Sequence, residues 1–273
     1  MADIAPARNF FNSIGIAADV QGNSTEELNL AIDLKYIRYF IVNTASHLVV
    51  FYGDYTLHGV SSMAELAAQL DTILTKDVFL NKAYKQLKVC WNSDFEIVPT
   101  PYFDIADVEA ETAINPILNG EAKFLFKKSN TVSQLLSQKF GTVVDYHIGA
   151  SMIEHIRSLT STSSSTLYVN VSAEKMEVLY FDEMPSLRLY NRYEYRAYQD
   201  YIYYLLLAAE ECKIDLDKAN VVLMGEVSQD SKLYEMTHRY FNSVSFIAAP
   251  SSIQFTVAFN EYPKHLNYLL YNL

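Results

Sequence analysis

The sequence predicts an α/β protein with two similar halves, on three observations. A meander of short β-rich runs opens each half, and a segment with helical spacing of apolar residues follows each meander. A polar stretch rich in Ser and Thr, 158–166, separates the halves as a surface loop or linker. The chain has 273 residues, 50% of them hydrophobic, which is enough for two packed domains with a sizeable core.

These features divide the chain into an N-terminal arm at 1–27, a first subdomain at 28–157, the linker at 158–166 and a second subdomain at 167–273. The arm contains turn residues and shows no sustained periodicity, so we expect it to be poorly ordered or loosely docked.

The first subdomain begins with β-rich runs predicted at 28–33, 36–43, 48–52 and 54–58, with turn residues Ser46 and Gly53 at the breaks, and a helix follows this meander. Ser61 and Ser62 offer an N-cap for this helix. Its apolar residues recur at helical spacing, at Met63, Leu66, Leu70 and Ile73.

Beyond this helix the order of elements is less regular. Pro99 and Pro101 lack a backbone N–H, so a strand that begins at Phe95 is expected to end before them. The elements predicted here are, in order, strands at 86–91 and 95–98, a helix at 101–118, a strand at 122–126, a helix at 131–139, a strand at 141–146 and a helix at 149–159.

The second subdomain shows the order β-β-β-α-β-α-β. Its long helix has an apolar face that includes Tyr201 and Leu205. The predicted elements are strands at 167–171, 175–182 and 186–190, a helix at 196–212, a strand at 220–224, a helix at 230–241 and a strand at 244–248.

Charge and cysteine content exclude several classes of protein. The formal net charge of −11 disfavours nucleic acid and anionic lipid as partners. Neither Cys90 nor Cys212 has a second cysteine or a histidine at ligand spacing, which argues against disulfide scaffolds and zinc sites. No apolar run approaches the roughly 18 residues of a membrane span, and the N-terminus does not resemble a secretion signal. We therefore expect a cytoplasmic protein without membrane insertion.

The order of elements, present twice, resembles the actin-like ATPase (ribonuclease H-like) fold. The whole chain is similar to an uncharacterised bacterial family assigned to that fold, whose first half carries a segment like Phe95-Glu-Ile-Val-Pro-Thr-Pro-Tyr-Phe103. This resemblance implies two similar subdomains, each a mixed five-stranded sheet with flanking helices.

The resemblance also indicates where a nucleotide would bind. In active members the first hairpin of each domain carries Asp-x-Gly, because a glycine backbone lets phosphate approach closely and the carboxylate manages metal-bound water. The triplets here are Asp33-Leu34-Lys35 and Asn170-Val171-Ser172. The turn that contacts adenosine usually has Gly-Gly, and this chain has Gly225-Glu226. The candidate nucleotide-binding residues are thus Asp33, Lys35, Asn170, Ser172, Gly225 and Glu226, in motifs that are degenerate.

Other residues suggest a protein contact. Tyr190, Arg192, Tyr193 and Tyr195 interleave aromatic and cationic side chains, which interfaces enrich and which stacked bases also exploit. The formal net charge of −11 favours a protein partner over nucleic acid. His147 and His155 lie eight residues apart, which does not fit the three- or four-residue spacing of ligands on a metal-binding helix, so no metal is expected.

The leading interpretation is a non-catalytic, actin-like binding or assembly module without a cofactor, with a protein partner or a second copy of itself. The alternative is a divergent ATP-binding protein or weak ATPase that holds Mg-ATP in the cleft between the halves. That alternative assigns Asp33 to the magnesium ion and places Gly225 beside the adenosine.

Overall fold

The computed structural model describes residues 10–16, 20–21, 25–105, 108–109, 111–159, 165–182 and 186–273. The chain forms two compact units. Unit 1 comprises Met1–Ser151, Ser251–Tyr262 and Leu273, and unit 2 comprises Met152–Pro250 and Pro263–Asn272. Residues 1–9, 17–19 and 22–24 of the expected arm, and 160–164 of the expected linker, lie outside the described residues.

Unit 1 is built on a mixed sheet around the buried strand β2. This strand pairs antiparallel with β3 and parallel with β5, and its Leu28 and Leu30 are fully buried. The strand order is β1-β4-β3-β2-β5-β9, and β15 pairs with β4. The strands are β1 (Phe10–Gly15), β2 (Glu26–Ile32), β3 (Tyr36–Asn43), β4 (Leu48–Thr56), β5 (Gln86–Trp91), β9 (Val143–His147) and β15 (Gln254–Phe255).

Strand β1 corrects the expectation of a poorly ordered or loosely docked arm for residues 10–15 only. It pairs with β4 along its whole length, from Phe10 opposite Thr56 to Gly15 opposite Phe51. A short strand at a sheet edge is held by backbone hydrogen bonds to its neighbour. The sequence did not predict this strand because its six residues have a mixed composition without a strand pattern.

The helices of unit 1 follow the predicted positions. They are α1 (Met63–Lys76), α2 (Asn130–Phe140) and the first residues of α3 (Ile148–Leu159), which continues into unit 2. Ser62 is the N-cap of α1, where its Oγ accepts a hydrogen bond from the Glu65 N–H at 3.2 Å. The apolar face of α1 is buried through Leu66, Leu70 and Ile73, as its spacing predicts.

A second, smaller sheet is inserted between β5 and α2. It contains β6 (Phe95–Pro99), β7 (Thr112–Ile117) and β8 (Ala122–Lys127) in the order β6-β8-β7. The helix predicted at 101–118 is therefore wrong: Thr100–Ile105 is a 3₁₀ helix and Thr112–Ile117 is a strand. Pro116 disfavours a helix interior, and it is tolerated here because β7 is an outer strand of this sheet.

Unit 2 has the predicted order β-β-β-α-β-α-β. Its sheet runs β12-β11-β10-β13-β14, and α4 packs on it through fully buried residues such as Tyr201 and Leu205. The elements are β10 (Thr166–Val171), β11 (Lys175–Phe181), β12 (Leu187–Glu194), α4 (Tyr198–Glu211), β13 (Asn220–Gly225), α5 (Lys232–Tyr240), β14 (Ser243–Phe246) and α6 (Tyr268–Tyr271).

The two sheets share one arrangement. The five strands β4-β3-β2-β5-β9 of unit 1 match β12-β11-β10-β13-β14 of unit 2 in order, and unit 1 adds β1 and β15. The predicted α/β class is confirmed, and the sheet of unit 1 is larger than the predicted five strands. No helix within the described ranges is long and apolar enough to cross a membrane.

Candidate functional site at the carboxyl edges of the two sheets

In open α/β sheets, ligands bind at the carboxyl ends of the parallel strands. We call these ends the carboxyl edges: β2, β5 and β9 end at the edge of unit 1, and β10, β13 and β14 end at that of unit 2. Strand pairing allows the two edges to be matched residue by residue. Ile32 pairs with Trp91, and Val171 pairs with Gly225, so Trp91 and Gly225 hold equivalent positions.

The register corrects the pairing of the two hairpin turns. Asp33 donates its N–H to the carbonyl of Tyr36 at 3.0 Å, and Ser172 donates its N–H to the carbonyl of Lys175 at 2.8 Å. Asp33 therefore matches Ser172, whereas the sequence triplets place Asp33 opposite Asn170. The difference of two residues arises because an apolar run does not specify where its hairpin turns.

In each turn, one polar side chain is hydrogen-bonded within the turn itself. The Asp33 carboxylate accepts a hydrogen bond from the Lys35 N–H at 3.0 Å, and the Ser172 hydroxyl donates to the carbonyl of Lys175 at 2.9 Å. The Ser172 carbonyl also accepts a hydrogen bond from the Tyr195 hydroxyl. Burial raises the pKa of Tyr195 to about 12, and the charges of nearby Glu226 and Glu174 add to the effect, so this hydroxyl remains a donor.

Asn170 lies in a buried polar network beneath the turn of unit 2. Its Nδ2 donates to Oε2 of Glu177 at 2.8 Å, and Oε1 of Glu177 is 3.1 Å from Nε of Arg192. The Glu177 side chain is 2% exposed and that of Arg192 is 9% exposed. Two of the predicted site residues, Asn170 and Arg192, thus hold β10, β11 and β12 together.

The tyrosines of the predicted protein contact differ in how far they are exposed. Tyr193 and Tyr195 are buried: the first stacks on Tyr204 at 5.1 Å, and the second makes an edge contact with Tyr201 at 5.7 Å. Tyr190 is half-buried on β12, an outer strand of the sheet. A protein contact at this strand stays a prediction, and Tyr190 is its most accessible aromatic residue.

Gly225 ends β13 in a left-handed conformation with φ of 83°. A Cβ at this position would lie 2.2 Å from the Val171 carbonyl oxygen and 2.7 Å from Oδ1 of Asn170, so only glycine fits. Its N–H donates to the carbonyl of His265 at 2.9 Å. The next N–H, of Glu226, donates to the Val171 carbonyl at 2.7 Å. Both predicted residues of this turn therefore bond to the chain itself.

His265 was not predicted, and its ring lies beside the same turn. Its Nε2 donates to the carbonyl of Val227 at 2.8 Å, since a carbonyl oxygen only accepts. The imidazole stacks on Phe246 with ring centres 4.1 Å apart and an interplanar angle of 19°. Burial lowers the pKa of His265, and the hydrogen bond to Val227 opposes this effect.

His147 takes the corresponding place at the edge of unit 1. Its Nε2 donates to the carbonyl of Ser93 at 3.0 Å, and its Nδ1 accepts from the Gly149 N–H at 3.0 Å. Trp91 matches Gly225, and Ser93 and Val227 each lie two residues further along the chain. In both units, the carbonyl at this position accepts a hydrogen bond from a histidine Nε2.

Aromatic rings enclose His147. The imidazole is fully buried and lies 4.6 Å from the ring of Phe124, 5.5 Å from Phe95 and 5.4 Å from Phe126, all in the inserted sheet. Trp91 is also buried and donates Nε1–H to Asp145 Oδ1 at 2.8 Å. His147 thus belongs to a packed structural cluster. Within the part of the chain that the structure describes, no three His, Cys, Asp or Glu residues are grouped to hold a metal.

A family model described as "Protein of unknown function (DUF3822)" matches residues 17–244. The chain belongs to this family. Comparison with curated proteins finds no match. The expected resemblance to an uncharacterised family is therefore confirmed at the level of the family, whose description gives no activity.

Solved structures similar to this DUF3822 chain identify the fold. A protein with actin-like ATPase fold and unknown function from Bacteroides thetaiotaomicron VPI-5482 is 16% identical, with a TM-score of 0.70 over 85% of this chain and 94% of that one. The PilM-PilN type IV pilus biogenesis complex contains a chain that is 11% identical, with a TM-score of 0.58 over 91% and 97%. The ethanolamine utilization protein EutJ from Carboxydothermus hydrogenoformans is 8% identical, with a TM-score of 0.52 over 94% and 92%. The DUF3822 chain has the actin-like ATPase fold.

Proposed function

We propose that this chain is a non-catalytic, actin-like binding module that acts in the cytoplasm without a nucleotide cofactor. The observation that supports the proposal is that groups of the chain itself occupy both carboxyl edges. His147 and the aromatic rings of the inserted sheet occupy the edge of unit 1, and His265 occupies that of unit 2. A nucleotide would have to displace these groups.

The first turn offers little to a magnesium-bound phosphate. Oδ1 of Asp33 is engaged by the Lys35 N–H, and Lys35 places a side chain where close approach of a phosphate to the backbone requires glycine. At the matched turn, Ser172 replaces the carboxylate with a hydroxyl that already donates to Lys175. These groups support a module that neither binds Mg-ATP nor hydrolyses it.

A protein is the partner that the surface chemistry favours. The net charge of −11 opposes nucleic acid and anionic lipid. In the described part of unit 2, β12 pairs with β11 on one side only, so its other side can accept an added strand. A chain of the same fold takes part in the PilM-PilN complex, which gives a precedent for protein binding by this architecture.

Thermal unfolding with and without Mg-ATP tests the proposal against the ATPase alternative. A ligand at 100 times its Kd stabilises a protein by about 2.7 kcal/mol, which is readily measured. We expect no shift of the melting temperature at millimolar Mg-ATP and no phosphate release. The matched variant is Asp33→Ala, which removes the candidate magnesium ligand. A shift in the wild type that Asp33→Ala abolishes would overturn the proposal and establish the ATP-binding alternative.

A further inference from the structure

The last strands of the two sheets, β9 in unit 1 and β14 in unit 2, hold matched positions. Val89 pairs with Asp145, and Leu223 pairs with Phe246. Val89 and Leu223 each lie two residues before the matched ends of β5 and β13, so Asp145 and Phe246 are equivalent. The outer sides of β9 and β14 can therefore be compared directly.

In unit 1, the inserted sheet closes the outer side of β9 through one side chain. Nδ2 of Asn115, on β7, donates to the carbonyl of Asp145 at 2.9 Å, and its Oδ1 accepts from the N–H of His147 at 2.8 Å. The carboxamide thus satisfies a backbone acceptor and a backbone donor that a neighbouring strand would otherwise bind.

Unit 2 has no inserted sheet, and the matching backbone groups of β14 face outward. Ile247 donates its N–H to the carbonyl of Leu223 at 2.9 Å, inside the sheet. Because the backbone groups of successive residues in a strand point to opposite sides, those of Val244, Phe246 and Ala248 point away from β13. Within the described ranges, no group of the chain makes a hydrogen bond to these outward backbone groups.

The composition of β14 favours pairing with another strand. Outer strands usually resist such pairing through charged side chains. The other outer strand of this sheet, β12, carries Arg188, Arg192 and Glu194, whereas residues 243–248 contain no charged side chain. The net charge of −11 therefore brings no like-charge repulsion between the paired strands themselves if two copies meet at β14.

The outward groups of β14 are also self-complementary. In an antiparallel pair, two directly opposite residues can exchange both backbone hydrogen bonds. A two-fold axis at Ser245 places Val244 of each copy opposite Phe246 of the other, so their outward N–H and carbonyl groups meet. The exposed Ser245 then faces the same small residue of the second copy.

We propose that β14 is a self-association surface, at which two copies of the chain pair antiparallel about Ser245 and join the sheets of their second units. The second copy supplies at β14 what Asn115 supplies at β9. This inference deepens the proposed function and rests on it, because it names a second copy of the chain as a partner of the binding module.

Sedimentation velocity of the full chain tests the surface. The concentration series runs to about 0.5 mM, which detects dissociation constants up to about that value. We expect the wild type to approach the mass of two chains and Ser245→Lys to remain a monomer, because like charges would meet directly opposite each other. Asn191→Lys is the matched control, since it adds the same charge at an exposed position on β12, and it should associate as the wild type does.

Charge exchange separates a lost contact from a damaged fold. Ser245→Lys and Ser245→Glu should each be monomeric alone, and their mixture should form the two-chain species because opposite charges then meet at the axis. A monomeric wild type throughout the series, loss of association in Asn191→Lys, or no association in the mixture would each overturn the proposal. These measurements contain no nucleotide, so a thermal shift with Mg-ATP would contradict the proposed function alone.

Discussion

The carboxyl edges of the two units end in the same hydrogen bond, made by different parts of the chain. At one edge His147, the last residue of β9, donates to the Ser93 carbonyl, and at the other His265, from the C-terminal loop, donates to the Val227 carbonyl. Each carbonyl lies two residues beyond the matched strand ends at Trp91 and Gly225. The surroundings differ: His147 is fully buried among phenylalanine rings, whereas His265 is half-buried.

The difference follows from one insertion. Unit 1 carries the sheet of β6, β7 and β8 between β5 and α2, where unit 2 has only residues 226–231 between β13 and α5. The inserted sheet supplies the rings that enclose His147, while a short loop closes the edge of unit 2. The first closure is part of the buried core, whereas the second is a half-buried contact made by the C-terminal loop.

A pair of salt bridges supports the residue matching. Arg38 on β3 pairs with Asp54 on β4 at 3.2 Å. Glu177 on β11 pairs with Arg192 on β12 at 3.1 Å, at the matched positions and with the charges exchanged. The units thus keep the cross-strand ion pair in the same place while reversing its polarity.

The largest expected effect is a difference in the free energy of unfolding between His147→Ala and His265→Ala. His147→Ala leaves a cavity and removes the partners of the Ser93 carbonyl and the Gly149 N–H, so we expect a loss of about 4 kcal/mol in the free energy of unfolding. His265→Ala removes a half-buried ring and should cost about 1–2 kcal/mol. Urea denaturation of both variants measures the difference.

The exposed His238 provides the control, because His238→Ala should change the free energy of unfolding by less than about 0.5 kcal/mol. Similar losses for His147→Ala and His265→Ala would show that both edges are closed equally firmly. That outcome would end the distinction between a core closure and an added contact.

A smaller loss in the free energy of unfolding is expected when Gly225, at the carboxyl edge of unit 2, is replaced by alanine. Gly225→Ala combines a left-handed conformation with a Cβ 2.2 Å from the Val171 carbonyl oxygen, so it should cost about 2–4 kcal/mol. Gly59→Ala is the matched control, since Gly59 has φ of 71° and open space at its Cβ, and it should cost about 1 kcal/mol. Equal losses in thermal or urea unfolding would mean that the sheet yields at Val171.

Much of the fold was predictable because local patterns encode it. The spacing of Leu66, Leu70 and Ile73 fixes the buried face of α1, and the strand runs of unit 2 give its order. The strand at Thr112–Ile117 was missed because its pairing with β8 is a tertiary contact, which overrides a run that looked helical.

The candidate site was predictable only in part. Asp33 and Gly225 mark the two edges and carry recognisable local chemistry, whereas the register that matches Asp33 with Ser172 exists only in the paired strands. His147 was noticed as a weak metal candidate, although its partners are backbone groups and rings. His265 contacts Val227 across 38 residues, and no local pattern signals such a contact.

The smallest expected effect concerns pH. Burial lowers the pKa of His265 and of His155, whose Nε2 lies 2.6 Å from the Tyr268 hydroxyl oxygen. The unfolded chain therefore binds more protons than the folded one once the pH falls below about 6.5. The stability that neutral His265 contributes is fully present above this pH and is lost progressively as the pH falls toward the folded-state pKa. We expect the free energy of unfolding to decrease between about pH 7 and 5.5, by at most about 1.4 kcal/mol per pH unit for each group.

The His265→Ala variant should show a shallower decrease than the wild type in parallel urea titrations. An unchanged slope would mean that the His265 ring is protonated as readily in the folded protein as in the unfolded chain, as an open loop would allow.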